Sequence, residues 1–522
     1  MNLVRRQLRS GEGPQNLRIM RESDLNSRSP REQYTDSHLA GMFGRDFLYT
    51  AASAAQLLSA IVITPVLARI LTTGEFGSFS ANLALLWVIV WSTSLGLSVG
   101  ITKVYSERPM SAGSVLSYAI LLIGLLNLGL LLTGAWWHSA LGFAQFGVTE
   151  RLDIAWGYST ALTLICLAML RAQERLAVFA LVSVLQSVGS LTLGFVFAEA
   201  FAKTTEMIIL GSVLMQTVSL LICLIVLRPP LIRLHDLPIL KRALAFSLPL
   251  VPQQVGYFVI TGADRLIVQR DLGPIATGRY QVGYNVGAVA IVLLTFLNQA
   301  WLPRVFAVTH AKSLERLLSS SRDSLFWLLI PACLGLAIGG PEALRVWAPG
   351  SFHTASLSAV MLIVTLSTAA WSASLTSTRV LLAYSRTTAC ALATAAAAAS
   401  NILLNILMVP RFGIDGSAWA TFVSYVVLAF GSAVLSRRNI RLRRVRPQLV
   451  VAMSLGFVSG WLSYYVPLAG WALALRLCLS ALFGVWLATM FVQVARGVDQ
   501  VSPLKFSSAY VGAHFRGRQW RD

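Results

Sequence analysis

The sequence predicts an all-α integral membrane protein of about fourteen transmembrane helices, arranged as two six-helix lobes plus a C-terminal helix pair. Three observations predict it. Apolar residues make up 56% of the 522-residue chain and charged residues only 12%, against roughly a quarter charged in soluble domains. Apolar stretches of about 20 residues, the length that crosses a bilayer, recur along the sequence. With the N-terminus placed inside, 33 of the 42 Lys and Arg fall in inner segments or, as Arg304 and Arg379 do, at the inner ends of spans, and 6 fall in outer loops, leaving Arg69, Arg265 and Arg476 elsewhere within spans. That bias is the positive-inside pattern, and it supports an even number of spans with both termini cytoplasmic.

In chain order, residues 1–45 are polar, carry eight arginines and five acids, and lack the apolar core of a signal peptide. They read as a disordered cytoplasmic tail, within which Met42 is an alternative start. Fourteen spans follow, at about 47–71, 79–101, 114–136, 154–170, 176–197, 207–227, 246–268, 282–306, 325–341, 356–382, 388–408, 417–435, 448–466 and 470–494. Spans 4 and 9 are the shortest. The segments 228–245 and 307–324 mix basic and apolar residues and are expected to lie on the inner surface as amphipathic pieces. The division that results is a tail over 1–45, a six-helix lobe over 46–228, a second over 229–436, an added helix pair over 437–495 and a basic cytoplasmic tail over 496–522.

The net charge of +20 is spread over all the inner segments. It reads as a topology determinant and argues against a nucleic-acid partner. Its densest cluster, Arg437, Arg438, Arg441, Arg443, Arg444 and Arg446, sits just inside a span, where anionic lipid headgroups lie. The five cysteines form no CxxC pair and the six histidines no HExxH pattern, so no metal site and no cofactor are expected. Phosphate-binding loops and nucleophile elbows are missing, and the loops are too short to hold an enzyme domain. The expectation is a non-enzymatic protein.

Charge inside hydrocarbon is expensive and turns inward, toward a partner or a watery cavity. Asp264 and Arg265 stand side by side in span 7, and Arg69 stands in span 1. They are the candidate substrate-binding residues, suited to a charged substrate. Arg69 lies about 33 Å and Arg265 about 28 Å from the inner end at 1.5 Å per residue. Snorkelling to the outer interface is therefore the competing reading, as is a purely structural Asp264–Arg265 bridge. Glu75 and Arg279, at loop edges, are gate or surface charges. The amides Gln253, Asn285, Asn401 and Asn405 are cavity-lining candidates, with interhelical hydrogen bonding as the alternative. Arg476, near the outer end of span 14, is expected to snorkel. Pro65, Pro249 and Pro252 are expected to bend spans 1 and 7.

An internal repeat is also legible. Arg69 followed by Gly74-Glu75-Phe76 parallels Arg265 followed by Gly278-Arg279-Tyr280, with the arginines 196 and the glycines 204 positions apart. A six-span offset keeps orientation, so the lobes would be related by an axis along the membrane normal.

Four stretches carry a resemblance. They are Pro65-Val66-Leu67-Ala68-Arg69-Ile70-Leu71-Thr72-Thr73-Gly74-Glu75-Phe76-Gly77 with Leu95-Gly96-Leu97-Ser98; Arg171-Ala172-Gln173-Glu174-Arg175; Ser247-Leu248-Pro249-Leu250-Val251-Pro252 through Asp264-Arg265 to Gly278-Arg279-Tyr280; and Asn401-Ile402-Leu403-Leu404-Asn405 through Pro410-Arg411-Phe412-Gly413-Ile414-Asp415-Gly416-Ser417-Ala418-Trp419-Ala420-Thr421. Over roughly 45–435 the chain resembles the polysaccharide flippases, O-antigen and exopolysaccharide translocases, of the multidrug/oligosaccharidyl-lipid/polysaccharide exporter superfamily. The resemblance implies movement of a polyprenyl-pyrophosphate-linked oligosaccharide, a lipopolysaccharide or exopolysaccharide precursor, across the bacterial inner membrane by alternating access. It implies as partners the lipid-linked oligosaccharide, membrane lipids, a coupling ion (H+ or Na+) and polysaccharide polymerase or export proteins. The alternatives are a cation-coupled multidrug exporter, a lipid II flippase of the same superfamily or, from another class, a membrane polysaccharide polymerase. Arg69 and Arg265 would hold the pyrophosphate, because arginine offers paired donors to phosphate oxygens and keeps its charge when desolvated.

Overall fold

The computed structural model describes residues 63–231, 236–308, 311–437, 440, 445, 447–462, 465 and 470–495. Both terminal tails, the inner part of span 1 and all the arginines of the cluster beyond Arg437 lie outside the described residues. Among the described residues the chain is helical and holds no strand. Ten helical stretches are long and apolar enough to cross a membrane. Thr387–Ser436 contains two expected spans, and Leu237–Gly287 contains span 7 with the start of span 8, which continues through Val289–Ala307. With the helix over 63–70 that ends span 1 and the apolar helix Leu449–Leu462 as span 13, the count agrees with fourteen.

The double stretches turn at glycine. Gly273 holds φ at +80° between spans 7 and 8, and Gly413 holds φ at +61° between spans 11 and 12. Pro274 follows the first turn and lacks the N–H that would continue the preceding helix. A side chain at either glycine meets open space, so the constraint is conformational and not steric contact. Gly273→Val and Gly413→Val are each expected to cost about 1–3 kcal/mol through this backbone strain. Thermal unfolding of the purified variants checks this.

Spans 4 and 9 are longer than their apolar cores suggest, running over Val148–Ala172 and Ala311–Trp347. The reason is polarity at their entrances. Glu150 and Asp153 dilute the first turns of span 4, while Arg316, Arg322 and Asp323 dilute those of span 9. The expected surface piece 307–324 is therefore continuous with span 9 from Ala311 onward, and it buries Leu314, Leu318, Arg322 and Asp323. Span 7 bends where the prolines predict. Its first helix, Leu237–Ser247, ends in a tight turn over Leu248–Leu250, and Pro252 opens the next, Val251–Gly262. Span 2 breaks between Thr73–Thr93 and Leu97–Glu107, with Leu95 and Gly96 both at positive φ.

Buried apolar side chains gather chiefly in two clusters. One is built on Leu67, Phe76, Leu97, Ile123, Leu162 and Ile209 from spans 1–6, and it also takes in Val282, Val286, Leu344 and Met361 from spans 8–10. The other is built on Ile260, Tyr280, Trp301, Leu328, Val364 and Tyr425 from spans 7–12, and it reaches Met490 of span 14. The last two spans pack on span 9 through small residues. Ser480 Oγ donates to the Gly335 carbonyl at 3.0 Å. A Cβ on Gly460 would sit 3.0 Å from that of Ala337. Arg476 does not snorkel: it is 3% exposed and donates from Nη2 to the Ile338 carbonyl at 2.7 Å.

Candidate functional site: a buried charge network

The Asp264–Arg265 pair sits on the last helical stretch of span 7, with both side chains turned into the second cluster. Asp264 is fully buried and Arg265 is 6% exposed. Arg265 Nη1 lies 2.7 Å from Asp264 Oδ1. It also donates to the Thr261 carbonyl one turn back. Nε donates to Gln281 Oε1 at 2.8 Å, and the guanidinium lies over the Tyr284 ring, 4.0 Å from its centroid. Tyr280 OH donates to the other Asp264 oxygen at 2.5 Å. Gln281, Tyr280 and Tyr284 belong to span 8, so the network binds spans 7 and 8 across the Gly273 turn.

The network continues in two directions. Gln281 Nε2 donates to Asn285 Oδ1 at 2.7 Å, one turn further along span 8. Thr421 Oγ1 of span 12 lies 3.4 Å from Asp264 Oδ2 and 3.2 Å from the Ser417 carbonyl. Ser417 Oγ donates to Asn405 Oδ1 at 2.7 Å, and Asn405 Nδ2 reaches Asn401 Oδ1 at 3.2 Å. One polar chain thus joins Asn401, Asn405, Asp264, Arg265 and Asn285. The links from Arg265 to Gln281, from Tyr280 and Thr421 to Asp264 and from Ser417 to Asn405 cross between helices, the arrangement by which membrane bundles satisfy polar groups away from water. Gln253 stands apart from this chain, half-buried in the first turn of Val251–Gly262.

The remaining candidates gather at the predicted outer end. Arg69 is exposed, and its Nη2 donates to the Val346 carbonyl near the end of span 9 at 2.7 Å. Phe76 meets Phe352 edge to face at 5.6 Å. Arg279 Nη2 donates to Ser356 Oγ at 2.7 Å. Glu75 caps span 6: its carboxylate accepts the Thr205 backbone N–H and hydroxyl, both at 2.7 Å, where the helix Thr205–Leu227 begins. Glu75 is thereby tied within the first six spans, while Arg69 bridges to the second set.

Between these contacts spans 2 and 8 cross with no side chain between them. A Cβ on Gly77 would collide with the Pro274 carbonyl, and a Cβ on Gly278 with the Thr73 carbonyl. Gly77 and Gly278 are 201 positions apart, as are Thr73 and Pro274. The contact is therefore reciprocal, as a two-fold axis between the halves requires. It corrects the repeat register: Gly278 is the counterpart of Gly77, and not of Gly74.

At the predicted inner end the described residues of spans 2 and 7 also meet. Cβ atoms on Gly96 and Gly100 would lie 3.0 Å from the carbonyls of Ser247 and Ala243, respectively. Lys103 Nζ sits 4.0 Å above the Phe246 ring, and Arg242 pairs with Glu107 at 4.0 Å. Among the described residues the two halves thus meet at both ends, with the Asp264–Arg265 network between these contacts along the chain.

Sequence reasoning missed Arg379. Its place near the inner end of span 10 makes it look like an inner-loop charge, yet it is 1% exposed. Its donors reach Ser321 Oγ at 2.8 Å and Thr376 Oγ1 at 3.3 Å, and it lies over the Trp301 ring at 5.5 Å. Its Nε has no partner, and among the described residues no carboxylate pairs with it. Burying a charge without a counter-charge is costly. Arg379→Met is expected to raise stability, because it removes a buried charge that no carboxylate balances. Thermal unfolding in detergent checks it.

The sequence matches the polysaccharide biosynthesis protein family over residues 45–308, just over half of the chain. The chain belongs to that family. No curated protein sequence matches it. Among solved structures, the lipid II flippase MurJ in an inward closed conformation superposes with a TM-score of 0.61 at 16% identity, covering 86% of this chain and 99% of that one. A single-residue mutant of the Vibrio cholerae MATE transporter VcmN superposes with a TM-score of 0.56 at 15% identity, over 77% of this chain and 97% of that one. An inward-facing multidrug resistance MATE transporter of the MOP superfamily gives 0.51 at 14% identity, over 80% and 99%. This member of the polysaccharide biosynthesis family thus has the fold of the MOP-superfamily flippases and transporters, in a multi-pass membrane protein.

Proposed function

We propose that the chain is a non-enzymatic flippase that moves a polyprenyl-pyrophosphate-linked oligosaccharide across the bacterial inner membrane, with both termini cytoplasmic. The observation that carries the reading is the reciprocal Gly77–Gly278 contact, in a member of a polysaccharide biosynthesis family. Two halves that meet at side-chain-free crossings can part at one end while staying closed at the other, which is what alternating access needs. The headgroup would occupy the space between the halves while the polyprenyl chain stays in lipid. Arg265, and Arg69 at the outer closure, supply the phosphate donors, and Asp264 orients Arg265 until substrate competes for it. A coupling ion and polymerase or export partners belong to the same proposal.

A deletion strain complemented with wild-type or variant chain tests it. The readouts are lipid-linked oligosaccharide, its leaflet sidedness and surface polysaccharide. Accumulation in the cytoplasmic leaflet, relieved by wild type, is the expected result. Unchanged intermediates and surface glycan in the deletion strain would remove the flippase reading.

A further inference from the structure

The segment that joins spans 9 and 10 is held by both halves of the chain. Span 9 ends at Trp347 and span 10 begins at Ser358. Between them Gly350–Phe352 and Thr354–Leu357 form two short helical turns. Connections run over the surface and are ordinarily solvated. Here Phe352 and Leu357 are fully buried, while Ser351, His353 and Ala355 beside them are exposed.

One set of contacts reaches the first half. Phe352 packs on Phe76 of span 2, Thr73 Oγ1 donates to the Ser351 carbonyl at 3.4 Å, and Arg69 Nη2 donates to the Val346 carbonyl. The buried apolar residues of the segment, Ala348, Phe352 and Leu357, belong to the cluster that holds Leu67, Leu71 and Phe76. A second set ties the segment to its own half. Arg279 of span 8 donates to Ser356 Oγ, which donates in turn to the His353 carbonyl at 2.8 Å. One turn further along span 8, a Cβ on Gly283 would lie 3.0 Å from Val360 and 3.5 Å from the Leu357 carbonyl.

The second set fixes the turn that carries Phe352. His353 holds φ at +51°, a region that residues with a side chain seldom adopt. Its N–H donates to the Gly350 carbonyl at 2.9 Å, and its own carbonyl accepts both the N–H and the hydroxyl of Ser356. Arg279 therefore steadies the residue next to Phe352 without touching the first half.

The two sets respond differently when the halves separate. Contacts to spans 8 and 10 lie within one half and persist if that half moves as a body. Those of Arg69, Thr73 and Phe76 cross between halves and must break. Arg69 is exposed, so water can replace its acceptor at small net cost. The Thr73 bond is long for a hydroxyl donor. Withdrawing Phe352 uncovers a buried aromatic ring, the largest of the three changes.

We propose that residues 346–357 form a strap carried by the second half, with Phe352 as a peg that must leave Phe76 before the halves part at the predicted outer end. The Gly77–Gly278 crossing sets how near the backbones come; the strap sets how readily they separate. Its part in transport rests on the flippase reading; its effect on outer opening does not.

The test uses the full-length chain with its five cysteines replaced, in lipid nanodiscs and in the deletion strain. A reporter cysteine between the halves is labelled from the outer side with a membrane-impermeant maleimide. Phe352→Ala is expected to label several-fold faster than its parent. Ser356→Ala, which cuts the Arg279 link, is expected to move labelling the same way by less. A second arm joins Thr73→Cys to Ser351→Cys with a short bifunctional thiosulfonate. The joined protein is expected to label more slowly than the parent and to export no glycan until a reductant frees it. Unchanged labelling in a folded Phe352→Ala overturns the strap. So does a joined pair that labels as fast as the reduced protein, or a pair that never joins. If Phe352→Ala does not fold, the joined pair decides alone. Labelling that follows the strap in a deletion strain without any glycan defect keeps the strap and sinks the flippase reading.

Discussion

Gly77→Ala is expected to abolish transport in a protein that still reaches the membrane. The added methyl has nowhere to go: the Pro274 carbonyl and the Gly278 backbone occupy its place, and backbone cannot move aside as a flexible side chain would. Closure at the predicted outer end is therefore lost, while packing within each half is untouched. Cysteine labelling from the outer side checks this. A reporter cysteine between the halves should become more reactive in Gly77→Ala than in wild type. Equal labelling with normal surface glycan would show that spans 2 and 8 tolerate separation.

Arg265→Ala and Asp264→Asn are the second pair of large effects. Each leaves one member of a buried ion pair without its partner, a change that costs about 3–5 kcal/mol. Asp264→Asn additionally weakens an acceptor that holds Tyr280 and neighbours Thr421. Asp264→Leu combined with Arg265→Leu removes both charges and is expected to recover much of that stability, because no lone charge remains. Function separates the structural role from the proposed one. If Arg265 only joins spans 7 and 8, the double variant restores surface polysaccharide along with stability. If Arg265 also meets the pyrophosphate, the double variant folds and exports nothing. Thermal unfolding beside glycan quantification reads both.

The fold is legible in the sequence because its signals are long and repeated. Twenty apolar residues survive a few substitutions, and the excess of inner arginine fixes alternation even where span limits blur. The doublets at Gly273 and Gly413 are legible as pairs of spans although each forms one nearly continuous helical run. The site is legible only where charge interrupts apolar sequence, as at Asp264 and Arg265. Its hydrogen-bonding partners are not, since Tyr280, Gln281 and Thr421 look like any aromatic or polar residue of a span until the Gly273 turn folds span 8 back on span 7. Arg379 escapes notice because it lies near a span end, where an arginine is ordinarily a topology signal. The repeat is legible but its register is not, because an aromatic after a charged residue recurs by chance more easily than a backbone crossing.

Gly77 and Gly278 have a consequence that follows from symmetry. In a dimer of identical subunits, a residue on the two-fold axis touches its own copy, and one residue type must suit both sides of the contact. Here the two copies lie in one chain, so the same requirement is written twice, at positions free to change independently. The two glycines therefore behave as a single constraint. Losing either should cost nearly as much as losing both, because the first methyl already forces the backbones apart and the second enters a gap that is already open.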